Sequence, residues 1–354
     1  PKPSSAASDV YKRQLWVCGS QKTKRRCRNT INYLMNNFYC LSILFLLLFE
    51  SSIQARSQTT LDYQSRIHPE IGSEFMVVTQ NKHATEAGYE ILRQGGNAVD
   101  AAVAVGFALS VTLPRAGNLG GGGFVLIYDQ DKNEISSIDY RSAAPESSKS
   151  EMFIQDGKVV KFGHLVNAVP GSVAGLLKAH DNHGSLPLST LLKPAIRLAK
   201  NGFEVTYDLN FVLEWGGESM LANKASREKF YDLDKKPVAV SSIFRQPNLA
   251  RTLFMISKNG KDAFYKGEIA KWISEESLSN GGLITLDDLS SYEAKSRIPI
   301  ETNYRGYRIV TMPPAASGGL VLLQTLNILE NFDLKESGPN LSLIHISEPT
   351  RRRG

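Results

Sequence analysis

Four consecutive glycines occupy residues 120–123, directly before the strand-like sequence FVLIYD at 124–129. Glycine loses more conformational freedom on folding than any other residue, so a run of four weakens a strand that has no need of it. Such a run is typical of a place where another backbone or a ligand approaches closely. We therefore expect residues 120–123 to lie against a neighbouring element and to have a mainly steric role.

The surroundings of these glycines argue against a phosphate-binding loop. A P-loop needs Lys and then Ser or Thr after its last glycine, whereas Phe124 and Val125 follow here. A dinucleotide fingerprint has its glycines after a strand and before a helix, the reverse of the order predicted here. We therefore expect no nucleotide cofactor.

Apolar periodicity and turn residues predict an α+β chain. Two helices are predicted over 84–112, with a break at Gly95 and Gly96 and an N-cap at Asn97. The second helix, 98–112, is apolar on nearly all sides and is expected to be buried. Residues 76–80 are predicted as a short buried strand, and 124–141 as a β-hairpin. Further helices are predicted near 171–183, 188–200, 248–258, 262–280 and 318–331, with strands at 299–304 and 307–312. Another helix is predicted to begin at TLDDL (285–289), where Thr285 and Asp288 form a capping box. Helices before and after paired strands predict antiparallel strands between layers of helix.

The N-terminal part has the layout of a secretory signal peptide. Met35 is the plausible translation start, and residues 35–55 combine a polar beginning, an apolar run at 41–49 and a small residue, Ala55, for cleavage. The apolar run is shorter than the roughly 20 residues that a bilayer core requires. We expect a protein that is secreted, periplasmic or attached to the cell surface.

The two ends of the chain differ in character from the rest. Residues 1–34 and 341–354 resemble translated sequencing-adapter sequence, so we expect the protein proper to lie within 56–340. The whole chain has a net charge of +6, but residues 56–340 contain 30 basic and 32 acidic residues, a net of −2. The basic run at 22–28 is therefore no indication of a nucleic-acid partner, and we expect none.

Cysteine and histidine give no indication of a metal site. The three cysteines, Cys18, Cys27 and Cys40, all precede residue 56, so the expected mature chain has no thiolate nucleophile and no cysteine-ligated metal. His180 and His183 lie three residues apart at the end of a predicted helix, where the helix dipole explains them. We expect neither a metal nor another cofactor.

Several long, irregular motifs occur in order between about residues 73 and 335. They are GGNAVDAAVAVGFALSVTLPRAGNLGGGGF (95–124), IDYRSAAP (138–145), VPGSVAG (169–175), FYKGEIA (264–270), NGGLITLDDLSSYEA (280–294), YRGYRIVTMPPAASGG (304–319) and LNILENFD (326–333). In these motifs the chain resembles the large-subunit portion of γ-glutamyltranspeptidases, also called glutathione hydrolases.

The resemblance implies a fold and a reaction. The fold is an N-terminal nucleophile hydrolase αββα sandwich, of which 56–340 would supply only the large-subunit half. The precursor cuts itself, and the new N-terminal Thr of the small subunit transfers the γ-glutamyl group of glutathione or a related donor to water, an amino acid or a dipeptide. An α-amine is a workable base for its own hydroxyl because its pKa lies near 8. The expected partners are these donors and acceptors and the protein's own small subunit.

Arg141 is the one substrate-binding residue that the resemblance assigns to this chain. In the family, the Arg of the IDYRSAAP motif binds the α-carboxylate of the γ-glutamyl donor, and a planar guanidinium matches a carboxylate with two parallel hydrogen bonds. Asp139 lies on the same face of the strand as Arg141 and is a candidate to orient that guanidinium. Asp100 lies in a buried helix and is expected to bond to nearby backbone or Asn groups.

The nucleophilic Thr of the family belongs to a segment beyond Asn340, so no catalytic residue is assigned here and the fragment itself is expected to be inactive. Two alternatives stay open from the sequence. One is a related amidase of other specificity, acting on cephalosporin-type side chains or γ-linked polyglutamate. The other is a non-catalytic binding protein that has kept Arg141.

The layout of residues 35–55 predicts that the exported protein begins near residue 56, because signal peptidase cleaves after a small residue that follows the apolar run. N-terminal sequencing of the secreted product should give a sequence that starts within a few residues of Arg56. A secreted product that retains the run at 41–49 would contradict this prediction.

Overall fold

A computed structural model describes residues 71–334 of the chain, and its first two helices form the centre of the core. Helix α1 spans Lys82–Arg93 and begins at Asn81, whose side chain accepts the backbone N–H groups of His83 and Ala84. Helix α2 spans Ala98–Thr112. The predicted break between them is confirmed, because Gly95 adopts the left-handed conformation, with φ at 87°, that glycine tolerates without strain.

Helix α2 is buried along most of its length, as its apolar composition predicts. Ala104, Phe107, Ala108 and Val111 are all fully buried within one continuous hydrophobic core. That core also contains residues from α1 and from most of the helices that follow. A helix with no polar face of its own requires neighbours along most of its surface. The other described elements supply them, except around Ala98 and Ala102, which are exposed.

The main sheet has three antiparallel strands in the order β1–β2–β7. Strand β1 (Phe124–Asp129) and strand β2 (Glu134–Asp139) form the predicted hairpin, in which Phe124 pairs with Asp139. Strand β7 spans Lys295–Arg297 and pairs with the end of β2, so that Lys295 lies opposite Asp139. This third strand was not predicted, and it brings residues 158 positions away to the end of β2.

The two faces of the hairpin differ in their surroundings. Val125 and Ile127 of β1 pack against the hydrophobic core. Leu126 and Tyr128 alternate with them and are 41% and 58% exposed. Among residues 71–334, the sheet is therefore covered by core residues on one face and open on the other.

The other helices surround the core. Their bounds are α3 Ser172–His183, α4 Leu188–Leu191, α5 Lys193–Asn201, α6 Tyr207–Trp215, α7 Gly217–Ala222, α8 Lys224–Phe230, α9 Pro247–Tyr265, α10 Glu268–Ser279, α11 Leu286–Ser291 and α12 Ser317–Leu329. Two short 3₁₀ helices span Ser150–Phe153 and His164–Val166. No helix within residues 71–334 combines the length and the apolar character needed to cross a bilayer.

Three further pairs of antiparallel strands lie outside the main sheet. They are β3 (Ile154–Gln155) with β4 (Lys158–Val159), β5 (Phe203–Glu204) with β6 (Ile243–Phe244), and β8 (Ile300–Tyr304) with β9 (Tyr307–Thr311). The last pair confirms the two strands predicted near 299–312. The described chain is therefore a mixed α+β fold.

Some sequence-based expectations were wrong. Residues 76–80 form no strand and alternate between half-buried and exposed, because no other described segment pairs with them. The helix expected over 188–200 is divided at Leu192 into α4 and α5. The break expected between 258 and 262 is confirmed, because the backbone of Gly260 within α9 is not helical (φ 59°, ψ −144°), but the helix expected over 262–280 is itself interrupted between Tyr265 and Glu268. Helices α6, α7 and α8 were not predicted. The expectations for 1–34, 35–55 and 341–354 lie outside the described residues.

A buried carboxylate joins the start of α2 to the segment after α3. Asp100 is fully buried, and it accepts the backbone N–H of Asn97 at 3.0 Å in a capping box. It also accepts the backbone N–H of Ser185 at 3.0 Å and the Ser185 hydroxyl at 2.5 Å. Burial raises the pKa of Asp100, but these hydrogen bonds to the ionised form outweigh burial and lower the pKa below its ordinary value. The expected structural role of Asp100 is confirmed.

Replacement of Asp100 by Ala should destabilise the full-length protein by about 3 kcal/mol, because several buried donors lose their acceptor. The folded-state pKa is lowered, so the contribution of the carboxylate is complete above the unfolded value of about 3.8 and is lost as the pH falls through the folded value. Urea unfolding should therefore separate wild type from Asp100→Ala clearly at pH 6 and less at pH 3. Asp181→Ala, at an exposed position, is the control, and an equal effect would contradict the assignment.

Candidate substrate-binding site

The glycine run lies against the end of strand β2. Gly123 and Tyr140 exchange two backbone hydrogen bonds. The Tyr140 N–H donates to the Gly123 carbonyl at 3.0 Å, and the Gly123 N–H donates to the Tyr140 carbonyl at 3.4 Å. A Cβ added at Gly122 would lie 2.5 Å from the backbone nitrogen of Ser142 and 2.7 Å from the carbonyl oxygen of Tyr140. The expectation of a close backbone approach is therefore confirmed for the second half of the run.

The position of the Tyr140 side chain also requires glycine at the residues packed against it. A Cβ at Gly123 would lie 2.7 Å from the Tyr140 hydroxyl oxygen, and a Cβ at Gly175 of α3 would overlap the Tyr140 ring. Gly171, in the same VPGSVAG motif, approaches the Tyr140 carbonyl closely. Two glycine-containing motifs thus enclose one tyrosine and fix the position of the chain at the end of β2.

Side chains bond both polar groups of the Arg141 backbone. Its N–H donates to Oδ1 of Asp139 at 3.0 Å. Its carbonyl oxygen accepts from the hydroxyl of Tyr292 at 2.8 Å. The strand ladder with Gly123 ends at Tyr140, and the next backbone pairing joins Ala143 to Val169. Arg141 therefore lies in a short segment without regular secondary structure, where side chains replace the missing strand partner.

Asp139 is paired with Arg297 rather than with the guanidinium of Arg141. Nε and Nη2 of Arg297 donate to Oδ2 of Asp139 at 3.1 and 3.0 Å. The Asp139 side chain is only 8% exposed, whereas Arg297 is 40% exposed. The suggestion that Asp139 orients the Arg141 guanidinium is therefore wrong, because the register of β2 and β7 brings another arginine to that carboxylate. Asp139 holds the Arg141 backbone instead.

Arg141 and its neighbours line a cavity of about 470 Å³. The wall also includes Ser142, Asp288, Tyr292 and Arg297. Within residues 71–334 the Arg141 guanidinium has no hydrogen bond or ion pair, and the residue is exposed to the cavity solvent. The site therefore presents one free guanidinium beside one that is already engaged, and a free guanidinium can receive a carboxylate with two hydrogen bonds.

Tyr292 is held in place by packing as well as by its hydrogen bond. Its ring stacks on that of Tyr265, with centroids 5.7 Å apart and an angle of 9° between the planes. Burial, with smaller effects of Asp139 and Tyr140, raises the pKa of Tyr292 to about 12. The hydroxyl therefore keeps its proton at neutral pH and remains a donor to the Arg141 carbonyl.

The loop after Arg141 is fixed to the start of helix α11. The backbone N–H of Glu146 donates to Oδ1 of Asp288 at 2.8 Å. Asp288 also forms the predicted capping box with Thr285, accepting its N–H at 2.9 Å and its hydroxyl at 2.7 Å. Burial raises the pKa of Asp288, but these hydrogen bonds outweigh it and the net shift is downward. Asp288 is therefore an ionised structural acceptor on the cavity wall.

A second and larger cavity, of about 1150 Å³, lies around His164, Trp215 and Glu276. It includes none of the residues that hold Arg141. Its histidine is engaged with Glu276 at 3.2 Å, and the cavity does not combine a free charged group with a braced backbone. We therefore regard the smaller cavity as the candidate site.

The two helix-end histidines have structural partners. Nε2 of His180 lies 2.8 Å from the carbonyl oxygen of Leu186, and Nε2 of His183 lies 3.3 Å from the hydroxyl of Ser136. Both lie in the last turn of α3, as expected. Residues 71–334 contain no group of three or more His, Cys, Asp or Glu side chains arranged to hold a metal ion.

Sequence reasoning missed Tyr292 and Arg297. They lie 151 and 158 residues from the groups that they contact, and neither has a distinctive local pattern. The tyrosine follows a short capped helix, and the arginine ends a strand of three residues. Only the unpredicted pairing of β7 with β2 brings them to the site.

Solved structures share this arrangement of helices and short sheets. The crystal structure of Helicobacter pylori gamma-glutamyltranspeptidase superposes with a TM-score of 0.76 at 38% identity, over 79% of this chain and 82% of that one. Gamma-glutamyltranspeptidase from Pseudomonas nitroreducens, complexed with L-DON, superposes with a TM-score of 0.71 at 37% identity, over 78% of this chain and 83% of that one. The described fold is therefore that of this class of enzymes.

The sequence comparisons agree with the fold. The gamma-glutamyltranspeptidase family model matches residues 84–350, and the chain belongs to this family. It is 45% identical over 276 residues to the glutathione hydrolase proenzyme of Escherichia coli K12, a match covering 77% of this chain and 47% of that protein. The chain spans about half the length of the curated relatives it matches. The matched range continues past residue 340, and the boundary expected there stays a prediction.

Replacement of Gly122 by Ala should destabilise the full-length protein by about 1–3 kcal/mol, because the new methyl group meets backbone atoms that can move only together with Arg141. Gly121→Ala is the matched control, since its Cβ would lie 3.4 Å from Oδ1 of Asn118 and make ordinary contacts. Thermal unfolding of both variants measures the difference. Equal melting temperatures would contradict the close approach at Gly122.

Proposed function

We propose that the complete protein transfers the γ-glutamyl group of glutathione, or of a related γ-glutamyl compound, to water or to an amino acid or dipeptide. The observation that carries this proposal is the free guanidinium of Arg141, which lines the candidate cavity in a chain of the gamma-glutamyltranspeptidase family. A γ-glutamyl donor has a free α-carboxylate, which is the group that a planar guanidinium binds best.

In this proposal Arg141 binds the donor and does not take part in bond cleavage. Two parallel hydrogen bonds would fix both the position and the rotation of the α-carboxylate, and hence the direction in which the γ-carbonyl extends. A donor that lacks a free α-carboxylate would lose this contact and be selected against.

The nucleophile would be the N-terminal Thr of a second subunit, produced when the precursor cleaves itself. Its hydroxyl oxygen would attack the γ-carbonyl while its own α-amine accepts the proton. The C–N bond of the γ-amide would then break as that proton passes to the departing amine, and the γ-glutamyl ester left on the Thr would be transferred to water or to an acceptor amine. The name proenzyme of the Escherichia coli relative supports such processing. This step needs no metal or cofactor.

The same proposal accounts for the open face of the main sheet. The exposed residues Leu126 and Tyr128 of β1 would be covered when the second subunit completes an αββα sandwich. The apolar side chains of Leu320, Val321 and Leu322 on α12 are also 44–58% exposed, which exceeds what a finished surface normally presents in one place. Export through the segment 35–55 would place the enzyme outside the cytoplasm.

Arg141→Lys in the full-length enzyme should raise the KM for a γ-glutamyl anilide and leave kcat much less affected. A lysine keeps the charge but loses the paired geometry, and loss of such a contact costs roughly 2–4 kcal/mol. Release of 4-nitroaniline measures the rate. Arg115→Lys is the matched control, because Arg115 is a partly exposed arginine paired with Asp208.

An unchanged kcat/KM in Arg141→Lys would contradict the carboxylate-binding role. Hydrolysis of a cephalosporin-type side chain or of γ-linked polyglutamate in preference to the anilide would favour an amidase of other specificity. Binding of the donor without turnover by the complete, processed protein would favour a non-catalytic binding protein.

A further inference from the structure

We propose that Asp139, Tyr292 and Arg297 are positioning residues for donor specificity, which fix the backbone of Arg141 so that its guanidinium meets the α-carboxylate in a two-pronged geometry. This inference rests on the proposed function of Arg141. None of the three would touch the donor's reacting carbonyl; they would act through Arg141.

The Arg141 backbone would be free to move without its hydrogen bonds to Asp139 and Tyr292. It follows the last ladder pair of β2, between Gly123 and Tyr140, and precedes the pairing of Ala143 with Val169. Between those two fixed points, the Arg141 N–H bonds only to Asp139 and its carbonyl only to Tyr292, among the described residues. The side chains of Asp139 and Tyr292 therefore bond the two backbone polar groups of Arg141 that a neighbouring strand would otherwise bond.

The two oxygens of Asp139 have separate tasks. Oδ1 accepts the Arg141 N–H, and Oδ2 accepts two donors from Arg297. A carboxylate that is 8% exposed needs a charge partner, and Arg297 supplies it. By compensating this charge and fixing the rotation of the carboxylate, Arg297 keeps Oδ1 directed at the Arg141 peptide.

This pairing also decides which of the two cavity arginines receives a ligand. Arg297 directs Nε and Nη2 at Asp139, so its binding fork is occupied. Arg141 has no side-chain partner among residues 71–334 and keeps its fork open to the cavity. Binding of the donor carboxylate therefore falls to Arg141, and Arg297 contributes through Asp139.

Tyr292 fixes the other end of the same peptide. Its ring is stacked on Tyr265, and the Tyr265 hydroxyl donates to the carbonyl of Pro170 at 2.8 Å while accepting the N–H of Ala174 at 3.1 Å. Pro170 and Ala174 belong to the glycine-containing motif that encloses Tyr140. The Arg141 carbonyl is thus connected through two tyrosines to the start of helix α3.

A two-pronged contact between planar groups is sensitive to small displacements, since supporting residues must hold such a site within about half an ångström and 10–20°. Loss of one contact to the Arg141 backbone should therefore weaken binding of the α-carboxylate while leaving the Thr nucleophile itself unchanged. This pattern differs from that of a general loss of stability, which would lower the amount of active enzyme and affect every donor equally.

The test uses Tyr292→Phe in the full-length, processed enzyme, because this change removes one hydroxyl and keeps the stacked ring. We expect the KM for a γ-glutamyl anilide to rise about threefold to tenfold, the range that corresponds to one hydrogen bond, with kcat nearly unchanged. For the α-methyl ester of the same anilide, kcat/KM should not change. Asp139→Asn, which is close in shape to the aspartate, should give the same pattern.

Tyr231→Phe is the matched control. The hydroxyl of Tyr231 is also buried and donates to a backbone carbonyl, that of Leu213, at 2.6 Å, but it does not contact Arg141. Its removal should leave both KM values unchanged even if it lowers the melting temperature. Tyr292→Phe should also lose most of its effect on kcat/KM when combined with Arg141→Lys, because the two changes act on one contact.

A KM in Tyr292→Phe and Asp139→Asn equal to that of wild type, with Arg141→Lys still defective, would overturn the positioning role alone. An equal loss for the free acid and the α-ester, or effects that multiply fully with Arg141→Lys, would also overturn it. A wild-type enzyme that hydrolyses the anilide with no sensitivity to Arg141→Lys would instead overturn the proposed function on which the inference rests.

Discussion

The contact between the glycine run and the end of strand β2 is the constraint on which the candidate site depends. Gly122 approaches the backbone of Tyr140 and Ser142 so closely that a single methyl group would displace it. Gly123 and Gly175 then leave room for the Tyr140 side chain on the opposite side of the chain from the cavity. Once that tyrosine is enclosed, Arg141 can only emerge toward the cavity. The glycines are therefore steric in role, and their effect on a ligand is transmitted through the backbone.

Among the two arginines of the cavity, ion pairing distinguishes Arg297, which is engaged, from Arg141, whose guanidinium has no partner within the described residues. The charge of Asp139 is compensated by Arg297, and Asp288 accepts the backbone N–H groups of Thr285 and Glu146. The hydroxyl of Tyr292 stays protonated because burial and Asp139 raise its pKa. Each of these groups has a partner within the protein, and the Arg141 guanidinium is left for an anion.

Much of the local structure could be predicted from the sequence because it depends on neighbouring residues. The capping boxes at Asn97 and Thr285, the break at Gly95 and the hairpin formed by β1 and β2 all follow from short patterns. The bracing of Arg141 could not be predicted, because Tyr292 and Arg297 reach it through a strand of three residues that carries no recognisable alternation. Residues 76–80 illustrate the reverse error: their pattern fits a strand, but a strand also needs a partner. The binding role of Arg141 came from the resemblance alone, since a strand-end arginine is otherwise unremarkable.

The buried carboxylate of Asp100 has a consequence for the order in which the chain can assemble. Its carboxylate oxygens accept the backbone N–H groups of Ser185 and Leu186, which lie 85 and 86 residues further along. During synthesis Asp100 therefore stays in contact with water, and it can be buried only after residues 185 and 186 have been made and have packed against the start of helix α2. Contacts of such long sequence separation form late and carry a large entropic cost of loop closure. Helix α2, apolar on nearly all sides, thus lacks its full cover until that later segment has been made, and protection by a chaperone would matter most in that interval.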